Sequence, residues 1–127
     1  MKRLVSFVLA AAVALTAALA FADGGMAQGK KGTWKGEILD AGCYLGHGAM
    51  GAKHASCAQR CARNGMPLML LGADGKAVLL TPNHDDGDPY EKLKGWAGSV
   101  VEVTGTMNTR AGVTGIDVTG AKLAATR

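Results

Sequence analysis

The sequence predicts a mainly β domain in which five strands close into a small OB-like barrel accompanied by short helices. Two observations favour this fold class. Stretches of period-two alternation recur along the chain, and a short helical pattern separates the third stretch from the fourth. In OB barrels a helix stands between those two strands and covers one end of the barrel. An open antiparallel sheet with helices on one face is the alternative.

Each predicted strand is short and bounded by turn residues, as is typical of a small barrel. The five are Thr33–Asp40, Leu68–Leu71, Ala77–Thr81, Gly98–Met107 and Val113–Leu123. The pair Asp74-Gly75 predicts a hairpin turn between the second strand and the third. Pro89–Trp96 is the predicted helix, and a proline at its first position suits a helix start.

The N-terminal segment, residues 1–22, has the pattern of a secretory signal peptide. Two basic residues precede an apolar run, and Ala20-Phe21-Ala22 matches a small-x-small cleavage site. We therefore expect a periplasmic or secreted protein that is free of the membrane after cleavage; a retained anchor is the alternative. Residues 23–32, rich in glycine and lysine, are predicted to form a flexible leader, and residues 33–127 the OB-like domain.

The composition argues against nucleic acid as a partner. The formal net charge is +4, and two of these charges belong to the predicted signal peptide. The other basic residues are dispersed and aromatic residues make up only 5% of the chain, so neither phosphate binding nor base stacking is indicated. No Ser/His/Asp set or pair of carboxylates stands out, which favours a non-catalytic role. A protein partner of unknown identity is compatible with this composition.

Residues 41–67 contain all three cysteines and two of the three histidines. We expect this segment to be a loop and helix insertion between the first and second strands. Its glycine-rich first half, Ala41–Lys53, is predicted to be a loop. The second half, His54–Asn64, is predicted to be a helix that ends at Gly65.

One face of this helix is predicted to carry three side chains of the metal-ligand type. His54, Cys57 and Cys61 stand at i, i+3 and i+7, so they fall within an arc of about 60°. Cys43 approaches them from the preceding loop. The four residues make a Cys₃His set, which is a normal composition for tetrahedral zinc, and their soft donors also suit copper. His47 is a candidate for an additional ligand.

Other residues near this face are candidates for supporting roles. For copper, the thioethers of Met50 and Met66 are alternative donors. Glu37 and Asp40 flank the segment, and either carboxylate is a candidate acceptor for the ring N–H of His54.

Two other interpretations of the cysteines stay open. In an oxidising compartment, a disulfide of Cys43 with Cys57 or Cys61 would pin the loop onto the helix of a non-catalytic interaction module. Because the number of cysteines is odd, one thiol would then be left over. Alternatively, the protein is a thiol–disulfide redox protein, in which His54 and the helix N-terminus lower the pKa of Cys57.

The cysteine-rich segment resembles a family of small exported bacterial proteins of unestablished function. That family has the pattern Cys-Tyr, a glycine-rich gap, and then His-x-x-Cys-Ala-x-x-Cys-x-x-x-Gly-x-Pro. The matching residues here are Cys43, Tyr44, His54, Cys57, Ala58, Cys61, Gly65 and Pro67. The resemblance extends over most of residues 36–118 and includes VEVTGTM and GVTGIDV, which fit OB-like strands. It implies the same Cys/His site, and it brings no assigned activity.

Overall fold

The computed structural model describes residues 29–125 and shows a closed five-stranded β-barrel with three short α-helices. The strands follow the order β1-β2-β3-β5-β4 around the barrel. The elements are β1 (Lys30–Asp40), α1 (Ala41–His47), a 3₁₀ turn (Ala52–His54), α2 (Ala55–Arg63), β2 (Leu68–Gly72), β3 (Ala77–Pro82), α3 (Asp88–Lys94), β4 (Val100–Arg110) and β5 (Val113–Leu123). The predicted small OB-like fold is confirmed.

Two pairings of β1 and one parallel contact close the barrel. Strand β1 pairs antiparallel with β2 through its C-terminal half and with β4 through most of its length. Strand β3 pairs parallel with β5, and this contact is the only parallel one among the strand pairs of residues 29–125. Each of the five strands in residues 29–125 therefore has two neighbouring strands, as a closed barrel requires.

The apolar residues that the strand patterns assign to the interior fill the barrel. Fully buried members are Ile38, Leu68, Val101, Val103, Ile116 and Val118. Helix α3 adds Tyr90 and Leu93 to the same core, as expected for a helix that covers one end. Helix α2 contributes Ala58 and Ala62, which are 2% and 0% exposed. These two small side chains let α2 lie close to the barrel, so the cysteine-rich insertion packs directly on the core.

The first strand begins earlier than the sequence predicted. It starts at Lys30 rather than Thr33, so residues 30–32 belong to β1 and the prediction of a flexible leader is wrong for them. The reason is pairing with β4, in which Lys30 stands opposite Met107 and Gly32 opposite Gly105. The predicted signal peptide at residues 1–22 and the leader up to residue 28 lie outside the described residues. Within residues 29–125, no helix is long and apolar enough to cross a membrane.

We expect Gly105→Ala to lower the free energy of unfolding by about 1–3 kcal/mol, the range for overpacking a tight interior. Gly105 is buried at a register shift between β4 and β5. A Cβ there would overlap the backbone carbonyl oxygen of Asp117. Gly120→Ala on β5 is the matched control, because its Cβ would meet Thr104 at an ordinary 3.4 Å. Urea denaturation of both variants checks this, and equal stability of the two would contradict it.

Candidate metal centre

Cys43 lies in the first turn of a helix, where the sequence predicted a loop. Helix α1 spans Ala41–His47, so the loop prediction is wrong for the first half of Ala41–Lys53. The side chain of Asp40 caps the helix: its Oδ1 accepts a hydrogen bond from the backbone N–H of Cys43 at 2.9 Å. Gly48 ends the helix in the left-handed conformation at φ 70°. The cap supplies stability that the weak helix propensity of the glycines does not.

The other three ligand-type residues lie in the second helix and in the turn before it, and the predicted helix His54–Asn64 is shorter in the structure. A 3₁₀ turn leads through His54 into α2, which ends just before Asn64, and Gly65 follows with φ 96°. Because Ala58 and Ala62 face the core, the neighbouring positions Cys57 and Cys61 lie at the half-buried flanks of the helix. His54 is 20% exposed at the start of α2.

The ligand atoms gather into two groups that share Cys43. One atom each from Cys43, His54 and Cys57 lie within 4.8 Å of one another, and so do those of Asp40, Cys43 and Cys61. Zinc–sulfur bonds of about 2.3 Å place two thiolates on one tetrahedral ion about 3.8 Å apart. A small inward movement of side chains is therefore enough for the cluster to hold a metal ion. The four residues predicted from sequence are all in these groups.

Asp40, a predicted neighbour of His54, does lie beside it, but the sequence did not predict its burial or its role as a helix cap. It is 1% exposed, and its Oδ2 lies 3.4 Å from Nε2 of His54. That distance suits an ion pair, but the geometry is not that of a hydrogen bond: both atoms are buried and have no hydrogen-bond partner in the part of the chain that the structure describes. An aspartate three residues before a glycine-flanked cysteine has the spacing of a helix cap, and this signal could have placed it beside Cys43.

The remaining candidates lie at the edge of the cluster. The ring of His47 is exposed and stands edge-on to that of His54, with 6.3 Å between their centroids; its role as an additional ligand stays a prediction. Met50 and Met66 are exposed. Glu37 accepts a hydrogen bond from the backbone N–H of Gly51, so it holds the loop between the two helices.

The surroundings of Cys43 favour its protonated form. A hydrogen bond from the thiol to Asp40, burial, and the charge of Asp40 raise the pKa of Cys43 to about 12, with a smaller contribution from Cys61. A neutral thiol can donate to the carboxylate, whereas a thiolate would be repelled by it. Without a metal ion, Cys43 is therefore a poor nucleophile at neutral pH.

All three cysteines are free thiols in the structure. The disulfide of Cys43 with Cys57 or Cys61 is not formed there and stays a prediction. The sulfur of Cys43 nevertheless lies within 4.8 Å of each of the other two sulfurs, so either bond would need only a modest approach of the side chains.

The structure also contains a pocket away from this cluster. It measures about 810 Å³ and opens at the end of the barrel formed by the β2–β3 turn and the β4–β5 hairpin, beside Trp34 and Met107. Its lining contains no cysteine or histidine. The ligand-type side chains and this pocket thus lie in different places.

Fold and site together define a small OB-like barrel protein that carries a Cys/His cluster able to hold a metal ion. No protein-family model, curated protein or solved structure matches the chain. The resemblance to small exported bacterial proteins therefore stays a prediction.

Alkylation of Cys43 should be slow at neutral pH and should accelerate only in strongly alkaline solution. In the reduced, metal-free Cys57→Ser/Cys61→Ser variant, we expect a rate at pH 8 at least about 100-fold below that of a free cysteine of pKa near 8.5. Adding Asp40→Asn should move the rate profile to lower pH, because it removes the largest cause of the raised pKa. Iodoacetamide labelling followed by mass spectrometry gives these rates. A half-maximal rate near pH 8.5 with Asp40 present would contradict this.

Proposed function

We propose that this protein is exported and binds a zinc or copper ion at the cluster around Cys43, in a binding or carrier role without catalysis. The observation that carries the proposal is the convergence of Cys43, His54 and Cys57, whose ligand atoms lie within 4.8 Å of one another. Cys61 lies within the same distance of Cys43 and completes a Cys₃His set. Thiolate and imidazole donors are those that zinc and copper prefer.

The way the cluster is built supports a dedicated site. Its members come from two helices, and each helix is fixed to the barrel independently. Helix α1 is capped by Asp40, while α2 is anchored through two buried alanines. The three cysteines are half-buried, so a metal ion could enter from solvent and the donors would hold it in a partly desolvated place. Binding must displace the thiol protons, so affinity should rise with pH.

The raised pKa of Cys43 weighs against Cys43 as the attacking thiol of a thiol–disulfide redox protein. An attacking thiol works best when its pKa is near the ambient pH, and the pKa of Cys43 is about 12. A metal ion reverses this preference, because a coordinated thiol loses its proton outright. A Cys43 thiol that is protonated in the absence of metal thus fits the role of a metal ligand better than that of a nucleophile.

A structural disulfide is the second candidate, because the sulfur of Cys43 is close to those of both Cys57 and Cys61. Closing a loop of about 15 residues contributes roughly 3 kcal/mol in the chain-entropy model. The protein would then be a periplasmic interaction module with one spare thiol. The disulfide and the metal ion compete for Cys43, so one experiment separates the two functions.

The full-length chain, produced in a bacterium and recovered from the periplasm, should carry one metal ion and three free thiols. Native mass spectrometry with a thiol count measures both. His54→Gln should weaken metal binding at least about tenfold, since it removes one donor. The matched control His84→Gln replaces an exposed histidine of another loop and should leave affinity within about twofold.

Three results would each contradict a part of this proposal. Recovery of the chain with one free thiol, a mass two hydrogens below that of the reduced protein and no metal uptake would favour the structural disulfide. Equal metal affinity of the His54→Gln and His84→Gln variants would place any bound metal elsewhere. Recovery of the chain only from the cytoplasm with residues 1–22 intact would contradict export.

Metal should also stabilise the fold. At a free concentration 100 times the dissociation constant, the added stability is about 2.7 kcal/mol. Cys43→Ser should abolish this gain, because Cys43 belongs to both ligand groups. Thermal unfolding with and without added Zn²⁺ provides the measurement, and a Cys43→Ser protein stabilised as strongly as the wild type would count against the site.

A further inference from the structure

We propose that Asp40 is an oxygen ligand of the metal centre and that its carboxylate makes the centre selective for Zn²⁺ over Cu⁺. The inference rests on the proposed metal-binding function, replaces one cysteine of the Cys₃His set by Asp40, and names the metal. The four donors would be Asp40, His54, Cys43 and one further cysteine.

The first support is the state of the Asp40 side chain. The residue is 1% exposed, and its two oxygens have different surroundings. Oδ1 accepts from the backbone N–H of Cys43 at 2.9 Å. Oδ2 is buried without a hydrogen-bond partner anywhere in residues 29–125. A buried carboxylate oxygen without a partner is costly, and buried charges are normally paired or bound to metal ions.

The second support is the distance between two such atoms. Nε2 of His54 is also buried without a hydrogen-bond partner among the described residues, and it lies 3.4 Å from Oδ2 of Asp40. Zinc–nitrogen and zinc–oxygen bonds of about 2.0–2.1 Å place two ligands on one tetrahedral ion about 3.3–3.4 Å apart. The two atoms are therefore spaced as neighbouring ligands of one zinc ion.

The third support is the position of the cysteines. One carboxylate oxygen of Asp40 and the sulfurs of Cys43 and Cys61 lie within 4.8 Å of one another. Asp40 is held firmly, since it pairs with Leu68 at the end of β1 and caps α1. The carboxylate is thus held in place before a metal ion arrives, which lowers the entropic cost of binding.

The choice of metal follows from the donor type and the charge. Zn²⁺ accepts carboxylate oxygen alongside thiolate and imidazole, whereas Cu⁺ is selected by soft sulfur donors. Two thiolates and one carboxylate carry three negative charges into a partly buried place. A divalent ion leaves less of that charge uncompensated than a monovalent ion does, and uncompensated charge is expensive away from water.

Asp40→Asn tests the inference with little change in shape, because asparagine is as good a helix cap as aspartate. The matched control is Asp85→Asn, which alters an exposed aspartate of the loop before α3. Affinities for Zn²⁺ and for Cu⁺ are measured by competition with chromophoric chelators at one pH. We expect Asp40→Asn to weaken Zn²⁺ binding at least about tenfold and to leave Cu⁺ binding within about threefold.

The outcomes separate this inference from the function on which it rests. If the wild type binds neither ion, the metal-binding function fails and the inference fails with it. If the wild type binds metal but Asp40→Asn changes nothing, or weakens both ions equally, Asp40 is no ligand and the inference alone is overturned. Circular dichroism of the metal-free variants verifies that they fold.

A measurement on the wild type decides the question even if Asp40→Asn does not fold. X-ray absorption at the zinc edge counts sulfur and light-atom neighbours separately, because the two bond lengths differ by about 0.3 Å. We expect two sulfur and two nitrogen or oxygen neighbours. Three sulfur neighbours and one nitrogen would describe a Cys₃His site without Asp40 and would overturn the inference.

Discussion

The structure depends on one hydrogen bond at the point where the chain leaves the barrel, from the backbone N–H of Cys43 to the carboxylate of Asp40. Asp40 is at once the last residue of β1 and the cap of α1. This dual position converts the end of a strand into the start of a helix without an intervening linker. It brings the sulfur of Cys43 within 4.8 Å of those of Cys57 and Cys61, and it leaves the second carboxylate oxygen 3.4 Å from His54.

The strands of the barrel were predictable from sequence because each is determined by a local pattern of apolar, polar and turn residues. Alternation in β5 gave the bounds Val113–Leu123 that the structure has, and Ala73–Lys76 predicted the turn between β2 and β3. The second helix was predicted from the helix-favouring residues of His54–Asn64 and the glycine stop that follows them. Helix α1 was missed because its stability comes from a side-chain cap and not from propensity. The burial of Asp40 was missed because it depends on α2 packing over the end of β1, which no local pattern encodes.

Close packing between the insertion and the barrel fixes the position of α2. Gly98, just before β4, has φ 85°, and a Cβ there would lie 2.6 Å from the Cβ of Ala55. The same glycine donates its N–H to the carbonyl of Ile38 at 2.7 Å. The start of α2 therefore rests directly on backbone, with no flexible side chain between them. His54 immediately precedes Ala55, so the close contact of Ala55 with Gly98 also fixes the position from which the His54 side chain extends.

The insertion is closed at its base. Asp40 pairs with Leu68 across β1 and β2, and the N–H of Ala41 donates to the carbonyl of Pro67 at 2.9 Å. The segment between them is thus a tethered unit whose opening breaks no pair of the barrel. Local opening of such a unit needs less free energy than global unfolding. The cysteine-rich insertion can therefore open and close while the strand pairs of the barrel stay formed.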